Sequence, residues 1–239
     1  SNTSASDGGG MYARHTTLSV IGSDLSLNTA TSGNGGGLYV DDSSTDSTTT
    51  LTNCTITDNS TALDGGGLYN LNAPATLTNC TISGNDSNTG GGLYNGNLAV
   101  TTITNCILWA DIATQEVVKG TGIVSATYSD IQGDTTWAGI GNLNTDPMFV
   151  DSLSGDYTLQ TGSPAIDAGD PTTFDPDGSI ADMGGVYFVQ AGTNIAGPIG
   201  TSVWNLAGSP YYVTAQCTVK TGQLLTIQPG VEVRAQTNV

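Results

Sequence analysis

The chain has 239 residues, is 37% apolar, and carries 21 acidic against 4 basic side chains, for a net charge of −17. Such a surface repels phosphate backbones, anionic lipid and anionic polysaccharide, so nucleic acid and membrane surfaces are poor partners and divalent cations are favoured. No transmembrane run or signal-peptide pattern stands in these residues, and no direct membrane insertion is expected.

Thr, Ser, Asn, Asp and Gly abound while Lys, Arg and Glu are scarce. These residues compete locally for backbone hydrogen bonds and favour turns and extended chain over helix, so the composition predicts an all-β protein with many tight turns.

Along residues 1–133 a glycine phrase recurs. GGGMYA begins at Gly8, GGGLYV at Gly35 and GGGLYN at Gly65 and Gly90, in steps of 27, 30 and 25 residues. A second phrase follows each: Val20-Ile-Gly-Ser23, Leu51-Thr-Asn-Cys54, Leu77-Thr-Asn-Cys80 and Ile103-Thr-Asn-Cys106. A period near 26 with short apolar-alternating strands predicts a parallel β-helix whose coils stack about 4.8 Å apart. Extra residues at 41–46 read as a protruding loop.

Stacking predicts four ladders. Leu38, Leu68 and Leu93, with Met11, form an inward apolar row. Tyr39, Tyr69 and Tyr94, with Tyr12, stack on the opposite side of the same strand. Asn53, Asn79 and Asn105 take left-handed turn positions with amides hydrogen-bonded along the axis. Cys54, Cys80 and Cys106 form a buried row of free thiols. Their Cα atoms come within disulfide range of the next coil, but their Cβ vectors run parallel. The first residue falls inside the repeat, so the chain is expected to be a processed or partial piece of something longer.

The GGGLYN…LTNCTISGN pattern resembles the repeats of chlamydial polymorphic outer-membrane proteins and related bacterial surface β-helices. Tyr128-Ser-Asp-Ile-Gln-Gly133, Asp146-Pro-Met-Phe-Val-Asp151, Gly162-Ser-Pro-Ala-Ile-Asp-Ala-Gly-Asp170 and Ala181-Asp-Met-Gly184 follow in order. That series resembles the closing segment of secreted proteins in the choice-of-anchor surface group. The resemblance spans about residues 1–185 and implies right-handed coils and an extracellular or cell-surface location, without implying a catalytic activity.

Residues 134–190 carry Pro147, Pro164, Pro171 and Pro176 and are expected to form an irregular cap over the open end of the helix. After a linker near 191–200, residues to 239 (Val203-Trp, Tyr211-Tyr-Val213, Cys217-Thr-Val219 and Leu224 to Val233) read as the opening coil of a second β-helical segment.

The basic inventory is Arg14, Lys119, Lys220 and Arg234, with His15 as the single histidine. That is too little for a polysaccharide lyase, and no catalytic residue is assigned. Asp41, Asp42 and Asp46 read as solvated acids rather than a glycosidase pair. Asp167, Asp170, Asp175, Asp177 and Asp182 fall within sixteen residues and would suit calcium, although they also serve as turn formers. Asn-x-Ser/Thr sequons at Asn2, Asn53, Asn59, Asn79 and Asn85 leave glycan attachment open, those at Asn53 and Asn79 being turn residues.

The function expected is an extracellular structural protein. Its first form is a homopolymer, in which the C-terminal coil of one subunit docks head-to-tail on the N-terminal coil of the next. A cell-surface adhesin or stalk fragment is the second form. A carbohydrate-active β-helix is the third, disfavoured by the scarcity of basic residues and of convergent acids.

Overall fold

The structure, a computed structural model, describes residues 1–42, 47–189, 193–204, 211–231 and 233–235. Most of the expected 41–46 loop, parts of the linker at 190–192 and of the second segment at 205–210, and Glu232 lie outside the described residues. The chain is nearly all β, its parallel sheets stacked as a β-solenoid, and it divides into two compact units. The helical structure among the described residues is one 3-10 turn, Ser152–Ser154.

The first unit comprises residues 1–173 and 180–188. Three five-stranded parallel sheets run along it. The first orders Met11–Arg14, Leu38–Asp41, Leu68–Leu71, Leu93–Gly96 and Val117–Val118. The second orders Leu18–Ile21, Thr49–Thr52, Pro74–Thr78, Val100–Thr104 and Ile123–Thr127. The third orders Asp24–Ser26, Thr55–Thr57, Thr81–Ser83, Ile107–Trp109 and Asp130–Ile131. Five strands per sheet make five coils. A short fourth sheet pairs Thr3–Ser4, Thr29–Ala30 and Ser60–Thr61.

Register follows the repeat. Leu68 pairs with Leu38 and Leu93, Leu77 with Leu51 and Ile103, and Ile82 with Ile56 and Leu108. All nine are fully buried and form one apolar core along the axis. Each such burial stabilises by about 1.5–3 kcal/mol.

The coil bends where the backbone turns left-handed. Asn53, Asn79 and Asn105 have φ of 52°, 49° and 53°, as the sequence predicts, and Tyr128 holds the same place in the fifth coil at 49°. The glycine phrase answers two demands at once. Gly65 sits at φ +72°, and a Cβ on Gly67 would lie 2.8 Å from both Gly92 O and Ile82 Cγ2. Only glycine lets successive coils approach this closely.

Residues 134–188 do not act as one cap. The end of the fifth coil is closed by residues 137–145: Ile140 O accepts from Tyr128 N, Leu143 O from Ile131 N, and Trp137 packs on the core. Residues 147–173 and 180–188 instead run along the outer face of the third sheet. Phe149–Asp151 and Asp156–Leu159 pair antiparallel there. Tyr157 donates to Asp58 at 3.1 Å, Gly185 N to Thr81 Oγ1 at 2.9 Å and Asp170 N to Asn105 Oδ1 at 2.7 Å. The physical reason is legible in register. Outward positions that hold Thr55, Thr81, Thr57 and Ser83 become Ile107 and Trp109 in the fourth coil. That apolar pair gathers Leu159, Ala165, Met183, Phe149 and Phe188 into a second core cluster.

The second unit comprises residues 174–179 and 189–239. Its described strands form two parallel sheets, Thr193–Ile199 with Tyr211–Val219 and Val233–Ala235, and Ser202–Trp204 with Leu225–Ile227. The solenoid pattern therefore restarts, and the stretch expected to be a linker near 191–200 is strand from Thr193 onward. Trp204 stacks on Tyr211 with centroids 4.7 Å apart.

Candidate functional site

The leucine, tyrosine and cysteine rows stand in register, whereas the row of turn asparagines holds for Asn53 and Asn79 only. Tyr12, Tyr39, Tyr69 and Tyr94 stack with centroids 5.2, 5.2 and 4.8 Å apart and planes within 11°. Burial raises the Tyr39 and Tyr69 hydroxyls above the usual phenol range. Cys54, Cys80 and Cys106 are buried free thiols. Each donates to a carbonyl two residues back, and Cys80 N donates to Cys106 Sγ at 3.3 Å. Hydrogen bonding along the row, to Cys80 for Cys54 and to Cys106 for Cys80, raises both thiols together with burial, which disfavours the thiolate. The row continues through Ser129, whose hydroxyl accepts from Cys106 N, to Asn142 in the closing segment. Among the turn asparagines, Asn79 donates to Asn53 at 3.0 Å, while Asn105 leaves the ladder and bonds Thr173 and Asp170 in the flanking segment.

A further ladder, unanticipated from sequence, lies deeper. Asn28, Asn59 and Asn85 are buried, and each follows its third-sheet strand by two residues. Asn2 donates Nδ2 to Asn28 Oδ1 at 3.0 Å, Asn28 to Asn59 at 2.9 Å, Asn59 to Asn85 at 2.9 Å, and Asn85 to Asp111 Oδ1 at 2.8 Å. Backbone N–H groups of the same asparagines reinforce each rung. The signal was the recurrence at 31, 26 and 26 residues of a polar residue two places after each third strand.

The ladder ends on an acid, and a second acid meets it. Asp111 Oδ2 and Glu116 Oε1 are both enclosed, both without a hydrogen-bond partner, and both stand over Gly92, where any Cβ would collide with them. Burial raises the Asp111 carboxyl, and burial followed by the Asp111 charge raises Glu116 well above the usual carboxylate range. These two side chains border a half-open cleft of about 460 Å³ lined also by Gln115, Gln132, Asp134 and Trp137. Acids therefore do converge at one corner, contrary to the sequence expectation. The two facing oxygens, however, are closed to solvent and so to any substrate. Asp130, fully buried nearby in the fifth coil, accepts from Thr145 N at 3.1 Å, and burial pushes its carboxyl up to about 6.

The five candidate calcium aspartates distribute over both units: Asp167, Asp170 and Asp182 in the first, Asp175 and Asp177 in the second. Asp182 accepts from Asp167 N and Phe188 N, Asp170 from Thr172 N and its hydroxyl, and Asp177 from Ser179 N and its hydroxyl. Those Thr172 bonds hold the Asp170 carboxyl below its ordinary value. Among the described residues no three His, Cys, Asp or Glu side chains come together as a metal site. Among the basic residues, Arg14 pairs with Asp41 at 3.4 Å, His15 Nδ1 lies 3.5 Å from Asp42, and Arg234 donates to Asp177 O. Of the sequon asparagines, Asn59 and Asn85 are ladder rungs with no exposed surface, whereas Asn2, Asn53 and Asn79 retain some.

The first coil is the other distinctive surface. Met11–Arg14, Leu18–Ile21, Asp24–Ser26 and Thr3–Ser4 each pair with the second coil alone among the described residues. Tyr12 at 48%, Leu27 at 61% and Ile21 at 67% exposure lie on this coil. In comparisons with known proteins, no family model, no curated protein and no solved structure matches this chain.

Proposed function

We propose that the chain is a structural β-solenoid of an extracellular or cell-surface assembly, which lengthens by stacking coil on coil with further copies of itself. The observation that carries this reading is the in-register stacking itself, with leucine, tyrosine and asparagine rows running from coil to coil. An unpaired, in-register parallel edge is a template for another coil, and a head-to-tail contact that does not close builds a filament. Residues 137–145 close the fifth coil, so the coil that docks on the first is one of the second unit, whose parallel strands restart the solenoid pattern.

Sedimentation of the purified chain over a range of concentrations tests the reading, with Ser19→Pro as the edge variant. Leu18 N and Gly22 N bond the second coil, so alternation turns the Ser19 N–H to the open edge. Proline there removes a docking donor while sparing the internal ladder. Growing assemblies for the parent and monomers for Ser19→Pro are expected. Monomers for both, at every concentration, would assign the edge to a covering segment of a longer chain and leave the stalk reading in place.

A further inference from the structure

We propose that Asp111 and Glu116 share one proton that latches the corner of residues 110–117 onto the fourth coil, and that loss of this proton releases the corner. This inference is independent of end-to-end assembly. It begins from the place Asp111 occupies. Asn59 donates Nδ2 to Leu25 O at 2.8 Å and Asn85 donates to Ile56 O at 2.9 Å, each reaching one coil back along the third sheet. Asp111 is the next rung. A Cβ on Gly67 would meet Asn85 Nδ2 at 3.1 Å, and one on Gly92 would meet Asp111 Oδ2 at 2.9 Å, so the acid oxygen stands where the ladder puts an amide N–H. A carboxylate cannot donate there, whereas a carboxylic acid can. Glu116 Oε1 faces the same space without a partner, and it is the group with which a single proton can be shared.

Nothing nearby offsets a second negative charge. None of the described residues lining the cleft is cationic. Asp58 raises Asp111 through its charge, Asp134 lines the cleft, and Asp86, backbone-bridged to Ile112, is exposed. Lys119, two residues past the corner, is exposed. With the proton gone, two carboxylates whose facing oxygens are enclosed repel one another. The bonds that would yield are the corner's own: Ile112 N to Asn85 O at 2.7 Å, Gly91 N to Gln115 O at 2.9 Å, and Gly92 N and Leu93 N to Glu116 O at 3.0 and 3.1 Å.

Hydrogen exchange on the whole chain between pH 5 and pH 9, corrected for the intrinsic pH dependence of exchange, tests the latch. Protection at Gly91, Gly92, Leu93 and Ile112 is expected to fall by about tenfold per pH unit once the shared proton is lost, while that of residues 51–57 stays level. Asp111→Asn restores the missing N–H and is expected to keep the corner protected across the range. Glu116→Gln, which also removes the second charge, gives the same readout should the first variant fail to fold. Level protection in the parent chain, a fall spread equally over all coils, or an undiminished fall in the folded variants would each overturn the proposal.

Discussion

Where the second, third and fourth coils place Leu38, Leu68 and Leu93, the fifth places Val117; where they place Tyr39, Tyr69 and Tyr94, it places Val118. Ala126 follows Ile103, Ser129 follows Cys106, and Asp111 follows Asn85. The three main sheets run through all five coils. What the path demands is a left-handed corner, an inward apolar side chain and a rung that can both accept and donate. The middle coils meet the last demand with a permanently neutral amide. The fifth meets it with an acid, which makes the repeat's end its titratable part.

The largest effect that would sharpen this contrast is in the core. Leu68→Ala, between two leucines and fully buried, is expected to cost about 2–5 kcal/mol in urea unfolding, and Val117→Ala less than half of that. Equal costs would mean that the fifth coil is packed as tightly as the middle ones.

Asp130 tests the titratable side of the comparison. A pKa raised from 3.8 to about 6 means the folded chain keeps this proton longer than the unfolded chain does. Stability is therefore greatest below about pH 4 and falls as pH rises to about 6, by about 2–3 kcal/mol from this group. Asp130→Asn should remove that part of the slope in melts from pH 4 to 7. An unchanged slope would break the assignment.

In the neutral ladder, Asn59→Ala leaves the Asn28 donors and the Leu25 carbonyl without their partner and is expected to cost about 1–3 kcal/mol, with little pH dependence. The smallest effect belongs to the tyrosine stack. Tyr69→Leu removes two ring contacts at the surface and should cost about 0.5–1.5 kcal/mol in the same unfolding assay.

The coil architecture was legible because its demands recur at a spacing near 26 residues: GGGLYN fixes the tight approach and the inward leucine, and LTNC fixes the turn and the thiol. Asn28, Asn59 and Asn85 recur almost as regularly, yet they stand in phrases such as Thr57-Asp-Asn59 and Ser83-Gly-Asn85 that also suit an exposed turn. Polarity alone does not reveal that a side chain is buried when its partners are other copies of itself. The acidic corner was hidden for a different reason. Asp111 keeps the period, but Glu116 reaches it from an irregular stretch that no repeat predicts. The flanking run of residues 147–173 and 180–188 depended on two outward substitutions, Ile107 and Trp109, which change which face needs cover. Prolines marked that run as irregular without saying where it would lie.

The most direct measurement is electron microscopy of the purified chain with its intact mass recorded on the same sample. The account predicts long uniform fibres of full-mass subunits, diffracting at about 4.8 Å along the fibre axis as coils stacked in register must. Single rods of the same mass at every concentration would contradict it, and the open first coil would then belong to a covering segment rather than to the next copy.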